Sequence, residues 1–148
     1  MRFKGAVEKT PSIEACYETG LRALGINSGK VIPENTRALE GSVDLDGCVS
    51  RKYPNSPRWD YIIGYNQQAY FVEVHPVNTG NVAEMLNKLR WLKSWLQEHG
   101  AEINAMKASD KPFLWIATGS IAILKDSSQA RKLAQSGLAF PEKITRIR

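Results

Sequence analysis

The clearest alternation of apolar and polar positions lies in PRWDYIIGYNQQAYFVEVHP, residues 57–76. Two runs, 58–65 and 69–75, are rich in Tyr, Ile, Val, Phe and Trp, and only residues 64–68 separate them. Such a pair predicts two β-strands joined by a tight turn. Alternation puts Tyr70, Val72 and Val74 on one face of the second strand and Phe71, Glu73 and His75 on the other. In the first strand Asp60 shares a face with Ile62. A turn centred on Asn66-Gln67 pairs Tyr65 with Gln68 and, counting outward, Asp60 with Glu73. A four-residue loop gives the same register, whereas a three-residue loop would slip it by one and separate the two carboxylates.

Other periodicities fill in the chain. Thr10-Pro11 reads as an N-cap and first helical residue, followed by an apolar stripe of Ile13, Cys16, Tyr17, Gly20, Leu21 and Leu24 that ends at Gly25. Glu14 borders this stripe, either as part of a solvated flank or leaning toward the hairpin carboxylates. Residues 27–41 read as a loop with a short helix over 34–39, and 42–49 as a strand that Gly47 weakens. Asp44 and Asp46 invite a calcium-loop reading, but Cys48 stands where a third ligand belongs and no Glu closes the loop. Residues 51–57 form a turn-rich connector.

A long helix is expected from an Asn81 cap through Gln97, ending at Gly100, with Met85, Leu86, Leu89, Leu92 and Leu96 buried. Trp91 and Trp95 lie on its flank, a spacing commoner in helix packing than in base stacking. Residues 113–117 predict a strand buried on both faces. A short helix over 127–135 and an edge strand over 144–147 complete the order. The class is α/β: a single domain, residues 1–148, with a central mixed sheet that includes an antiparallel hairpin and is flanked by helices.

Composition changes this picture little, and charge somewhat more. Of the 148 residues, 43% are hydrophobic and 24% charged, ordinary values for a globular domain with a real core. No apolar run approaches the length of a membrane span, so no membrane partner is expected, and MRFKGAVEKT lacks an apolar signal core. Cys16 and Cys48 are too few for a disulfide framework and read as reduced thiols, which suggests a cytoplasmic protein. The two histidines, His75 and His99, form no zinc motif. The net charge of +5 favours a polyanionic partner such as nucleic acid. Its cations come in small clusters, among them Arg51, Lys52 and Arg58, then Lys88, Arg90 and Lys93. A homodimer is left open.

Paired as the hairpin register has them, Asp60 and Glu73 would sit about 5 Å apart at Cβ and repel. A hard divalent cation between them, Mg²⁺ or Mn²⁺, would relieve that repulsion through oxygen ligands. The bland alternative is a strand-end Asp and a Glu on a wet face, against which Phe71 beside Glu73 speaks.

These residues, in this order of elements, resemble the PD-(D/E)XK nuclease superfamily, the restriction-endonuclease-like and Holliday-junction-resolvase-like fold. Pro57-Arg58-Trp59-Asp60 stands where that family has its Asp, Glu73-Val74-His75 where it has Glu-x-Lys, and Glu14 matches an acidic residue that some members add on the first helix. The resemblance covers roughly residues 10–117 and implies a restriction-endonuclease-like core and metal-dependent cleavage of DNA or RNA. It implies Asp60, Glu73 and the Val74 carbonyl as metal ligands. His75 departs from the motif Lys; it could orient or deprotonate water, or be a strand-end polar residue before Pro76. Lys88 or Lys93 could supply the missing fixed charge. Arg58, Lys88 and Lys93 are the expected phosphate contacts. Two further expectations compete with the nuclease: a nuclease-like domain kept as a binding module, and a small interaction protein of the toxin-inhibitor kind.

Overall fold

A computed structural model describes residues 2–148. Helix α1, Arg2–Glu8, buries Phe3, Ala6 and Val7. Its end decides the next segment. Thr10, expected to cap a helix running forward, instead turns its hydroxyl back to donate to the Ala6 carbonyl at 2.8 Å. Pro11 follows, and Ser12 adopts φ 75°, outside the helical region. The Thr-Pro pair is thus a stop rather than a start, and the helix expected over 10–25 gives way to turns and a 3-10 stretch, Arg22–Lys30. The Thr reading failed because a Ser/Thr hydroxyl can serve either end of a helix.

Strand β1, Val31–Pro33, and a 3-10 turn, Thr36–Ala38, occupy the expected loop. Strand β2 runs Leu39–Asp44, and Asp44 then caps helix α2, Leu45–Val49, accepting from the Gly47 N–H at 3.0 Å. The segment read as one strand is therefore half strand and half helix, split by an Asp that makes an N-cap. Cys16 and Cys48 are joined in a disulfide that ties the turns after α1 to α2. This overturns the free-thiol expectation: the spacing of two cysteines says nothing of their distance after folding.

The hairpin forms as the alternation predicts. Strand β3, Tyr61–Tyr65, pairs antiparallel with β4, Gln68–Val77, with Tyr65 opposite Gln68 and Tyr61 opposite Val72. Asn66 and Gln67 both take positive φ, 51° and 61°, the two-residue turn that matches strand twist. Gly64 is needed where α1 crosses the sheet, because a Cβ there would run into the Phe3 ring. Helix α3, Thr79–His99, is capped by Asn78, whose side chain accepts from Asn81 N. The cap lies three residues before the Asn expected, and the helix is longer by a turn. A short helix α4, Ala101–Asn104, leads to strand β5, Phe113–Ile121, which lies parallel to β4. Helix α5, Ser128–Ser136, starts at the Ser127 cap and stops at left-handed Gly137. Strand β6, Thr145–Ile147, pairs with β1 in a separate two-stranded sheet.

The main sheet has the order β2-β3-β4-β5 and is mixed, with helices flanking it. Alternation sorts its side chains onto two cores. Ile62, Phe71 and Trp115 pack with Met85, Leu89, Leu92 and Trp95 of α3. Ile63, Val72, Leu114 and Ile116 pack with Leu24, Val31 and Ile147 on the other side. Glu73 belongs to the Phe71 face, and so looks at α3. No helix is long and apolar enough to cross a membrane among the described residues.

Candidate functional site

The site lies where β3 begins and β4 leaves the hairpin. Asp60 immediately precedes β3. Its N–H donates to Glu73 Oε1 at 3.0 Å, and its own Oδ2 accepts from the Val74 N–H at 3.0 Å. Each carboxylate is thus held by the backbone of the segment that carries the other. The segment before β3 is anchored as well, since the N–H groups of Leu45 and Asp46 at the start of α2 converge on the Asp60 carbonyl.

Glu73 is fully buried, while Asp60 is half-buried. From α3, Lys88 Nζ donates to Glu73 Oε2 at 2.6 Å, with the Glu73 side chain 1% and the Lys88 side chain 18% exposed. Burial and the neighbouring Asp60 charge push the Glu73 carboxyl up to about 8, although Lys88 opposes both. Burial likewise raises Asp60, against the Val74 N–H and Lys88. Burial alone would depress the Lys88 ammonium, but Glu73, Asp60 and Glu84 together hold it above its ordinary value. Two carboxylates share one ammonium, and it is the second negative charge that the site resists.

His75 lies one alternation beyond Glu73 on the same face. Its Nε2 is 3.2 Å from Glu84 Oε1, and its Nδ1 is 3.0 Å from the Pro76 carbonyl. Both ring nitrogens thus lie within hydrogen-bond distance of an oxygen, one on α3 and one on the backbone of the next residue. His75 also packs edge-on against Trp115, whose Nε1 donates to the His75 carbonyl at 3.0 Å. Glu84, one helical turn before Lys88, went unnoticed in the sequence. The i,i+4 spacing of Glu84 and Lys88 on one stripe of α3 was the signal that could have found it.

The remaining candidates separate from this group. Glu14 lies exposed in the turns after α1, so the helix expected to carry it toward the carboxylates does not exist. Lys93 faces the opposite way from Lys88: its Nζ donates to the Ser136 carbonyl at 2.7 Å and sits over the Phe113 ring. Arg58 is occupied by Asp46 at 2.8 Å and by the Tyr53 carbonyl at 2.6 Å, which braces the segment before Asp60. Trp91 stacks on Trp95 and meets Tyr53 edge-on, helix packing rather than an open platform.

The donor set admits a divalent cation on one condition. Glu73 Oε1 is held by backbone and Oε2 by Lys88, so a cation at Glu73 would have to share these oxygens with the Lys88 ammonium or displace it. The Val74 N–H points at Asp60, and in an extended strand the carbonyl of that residue faces the same edge. Among the described residues no group of three or more His, Cys, Asp or Glu side chains could hold a metal. Two carboxylates with a carbonyl still suit Mg²⁺, which commonly keeps several waters and takes its other oxygens from phosphate. No protein-family model, curated protein or solved structure matches this chain.

Proposed function

We propose that the chain is a metal-dependent nuclease that hydrolyses phosphodiester bonds of DNA or RNA. The observation that carries this reading is the meeting of Asp60 and Glu73 at one end of an antiparallel hairpin, beneath Lys88. Asp60, Glu73 and the Val74 carbonyl would hold Mg²⁺ or Mn²⁺. When bound, such an ion would polarise the phosphodiester and lower the pKa of its water. Lys88 supplies the fixed positive charge that His75 does not, reaching the carboxylates from α3 instead of β4. In the metal-free state it donates to Glu73 Oε2; freed from that contact, it would be placed to steady developing charge on phosphate. His75, tied to Glu84, has the role of a positioning group at the end of β4.

A second reading has its own support. The Lys88–Glu73 ion pair satisfies the buried carboxylate without any metal. A nuclease-like domain kept for binding nucleic acid or protein would look the same. Incubation with mixed DNA and RNA, with Mg²⁺ or Mn²⁺ against EDTA, separates the two. Cleavage that needs metal and disappears in both Asp60→Asn and Glu73→Gln is expected of the nuclease; intact substrates under every condition would leave the binding module.

A further inference from the structure

Two shallow grooves run along the solvent side of α3. One, about 410 Å³, is lined by Pro57, Glu84, Asn87, Arg90, Trp91 and Ser94. It begins at Glu84, the residue that holds His75 at the candidate site. The other, about 430 Å³, lies between α3 and α5 and is lined by Arg90, Lys93, Lys132, Gln135 and Ser136 among others. Arg90 belongs to both, on the exposed ridge of α3 between them, so a path from the carboxylate side to α5 crosses the helix there.

The first groove balances Arg90 against Glu84, whereas the charge of the second is one-sided. The second groove has three cations and no carboxylate in its lining. Arg90, Lys93 and Lys132 are all exposed, and none enters an ion pair among the described residues. Arg90 and Lys93 are instead aimed by neutral acceptors, Asn87 Oδ1 at 2.7 Å and the Ser136 carbonyl at 2.7 Å. Nearby Lys107 adds to the positive field: burial first, and then Lys107, depress the Lys93 ammonium. Cations gathered without counter-charge cost electrostatic energy that an anion would recover. From Glu84 to Lys93 is nine residues, or about 14 Å of helix. That length equals the axial rise of about four nucleotides of one strand of a duplex.

We infer that this path is the track for a nucleic-acid backbone leaving the carboxylate site, with Arg90, Lys93 and Lys132 contacting successive phosphates. The inference rests on the nucleic-acid substrate proposed above. It assigns the contacts to α3 and α5 and withdraws Arg58, which Asp46 already neutralises. An acidic protein is the competing occupant. A backbone is favoured because the track opens at Glu84, beside the site where phosphate would be cut.

The test measures binding of a fluorescein-labelled oligonucleotide, single-stranded and duplex, by anisotropy in EDTA. The triple variant Arg90→Gln, Lys93→Gln, Lys132→Gln is compared with a control, Arg22→Gln, Arg37→Gln, Lys143→Gln, that removes the same charge at exposed positions outside both grooves. Circular dichroism confirms that each is folded, and Arg90→Gln alone serves if the triple is not. The groove variant should bind at least about tenfold more weakly at low salt, and its log–log salt slope should fall by about 2 to 3, with the control nearly unchanged. Equal losses in both variants would reduce the effect to net charge and overturn the track. So would competition by polyglutamate as effective as that by unlabelled oligonucleotide, or a wild type that does not bind at low salt. Cleavage is scored separately with Mn²⁺. Binding through the groove without cleavage refutes the nuclease alone; cleavage with an unchanged salt slope in the groove variant refutes the track alone.

Discussion

Replacing Glu73 by Gln should flatten the pH dependence of stability. In the metal-free protein the Glu73 carboxyl lies at about 8, against an ordinary 4.5. At intermediate pH the folded state therefore holds a proton that the unfolded chain has released. With more protons bound in the folded state, stability falls as pH rises, the loss running from about 4.5 to about 8 and levelling off above it. Each pH unit inside that window corresponds to about 1.4 kcal/mol. Between about pH 5.5 and 7.5 the Glu73 contribution is therefore a loss on the order of 2–3 kcal/mol. The amide keeps an oxygen to accept the Asp60 N–H but has nothing to titrate.

Other groups also titrate in this range, so the informative quantity is the difference between wild type and Glu73→Gln. Urea unfolding in EDTA at several pH values, with the disulfide intact, gives that difference directly. The variant should gain on the wild type steadily from about pH 5.5 to 7.5, by roughly 2–3 kcal/mol in all. Parallel curves, with a difference constant to about 0.5 kcal/mol, would refute the reasoning. They would mean that Lys88 fully compensates Glu73 and that the second negative charge costs the fold nothing.

Lys88→Met removes the cation from the same pair. Because Lys88 opposes the rise of the Glu73 carboxyl, its loss should push that carboxyl higher still. The change should cost little near pH 6, where Glu73 keeps its proton in both proteins, and about 1 kcal/mol near pH 9, growing with pH as the wild type ionises Glu73 beside Lys88 and the variant does not; the same unfolding series reads both. Glu40→Ala should cost about 1–3 kcal/mol by urea unfolding, because the buried Glu40 side chain accepts from the N–H groups of Phe3 and Gln67 and so ties α1 to the hairpin turn. Reduction of Cys16–Cys48, which closes a loop with a sequence separation of 32, should destabilise by about 3–4 kcal/mol, and a melting curve unchanged by dithiol reductant would count against the bond.

What was legible in the sequence follows from how local each signal is. Strand alternation and a two-residue turn fix register over a few residues, so the pairing of Tyr65 with Gln68 could be counted, and with it the approach of Asp60 to Glu73. Lys88 was legible only as a candidate. The apolar stripe on α3 says which side of that helix is buried, and Lys88 sits at its margin, but which carboxylate it reaches depends on how α3 lies across the sheet. Lys93 shows the limit from the other side. Five residues on, it turns by more than a third of the helix circumference and lands on α5. The Cys16–Cys48 bond depends on turns after α1 that carry no periodicity at all, and the Thr10 error propagated into them. Glu14 was lost with that helix, while Glu84, placed on α3 by simple i,i+4 counting from Lys88, took a place beside His75. Long-range placement, then, came through wherever a hydrogen-bonded ladder carried it and failed wherever it rested on a cap whose direction the residue type leaves undecided. The carboxylate pair lies one step beyond the last rung of the ladder, Tyr61 opposite Val72, which is why it survives as the centre of the proposed chemistry, while its cation had to be read from the packing of a helix.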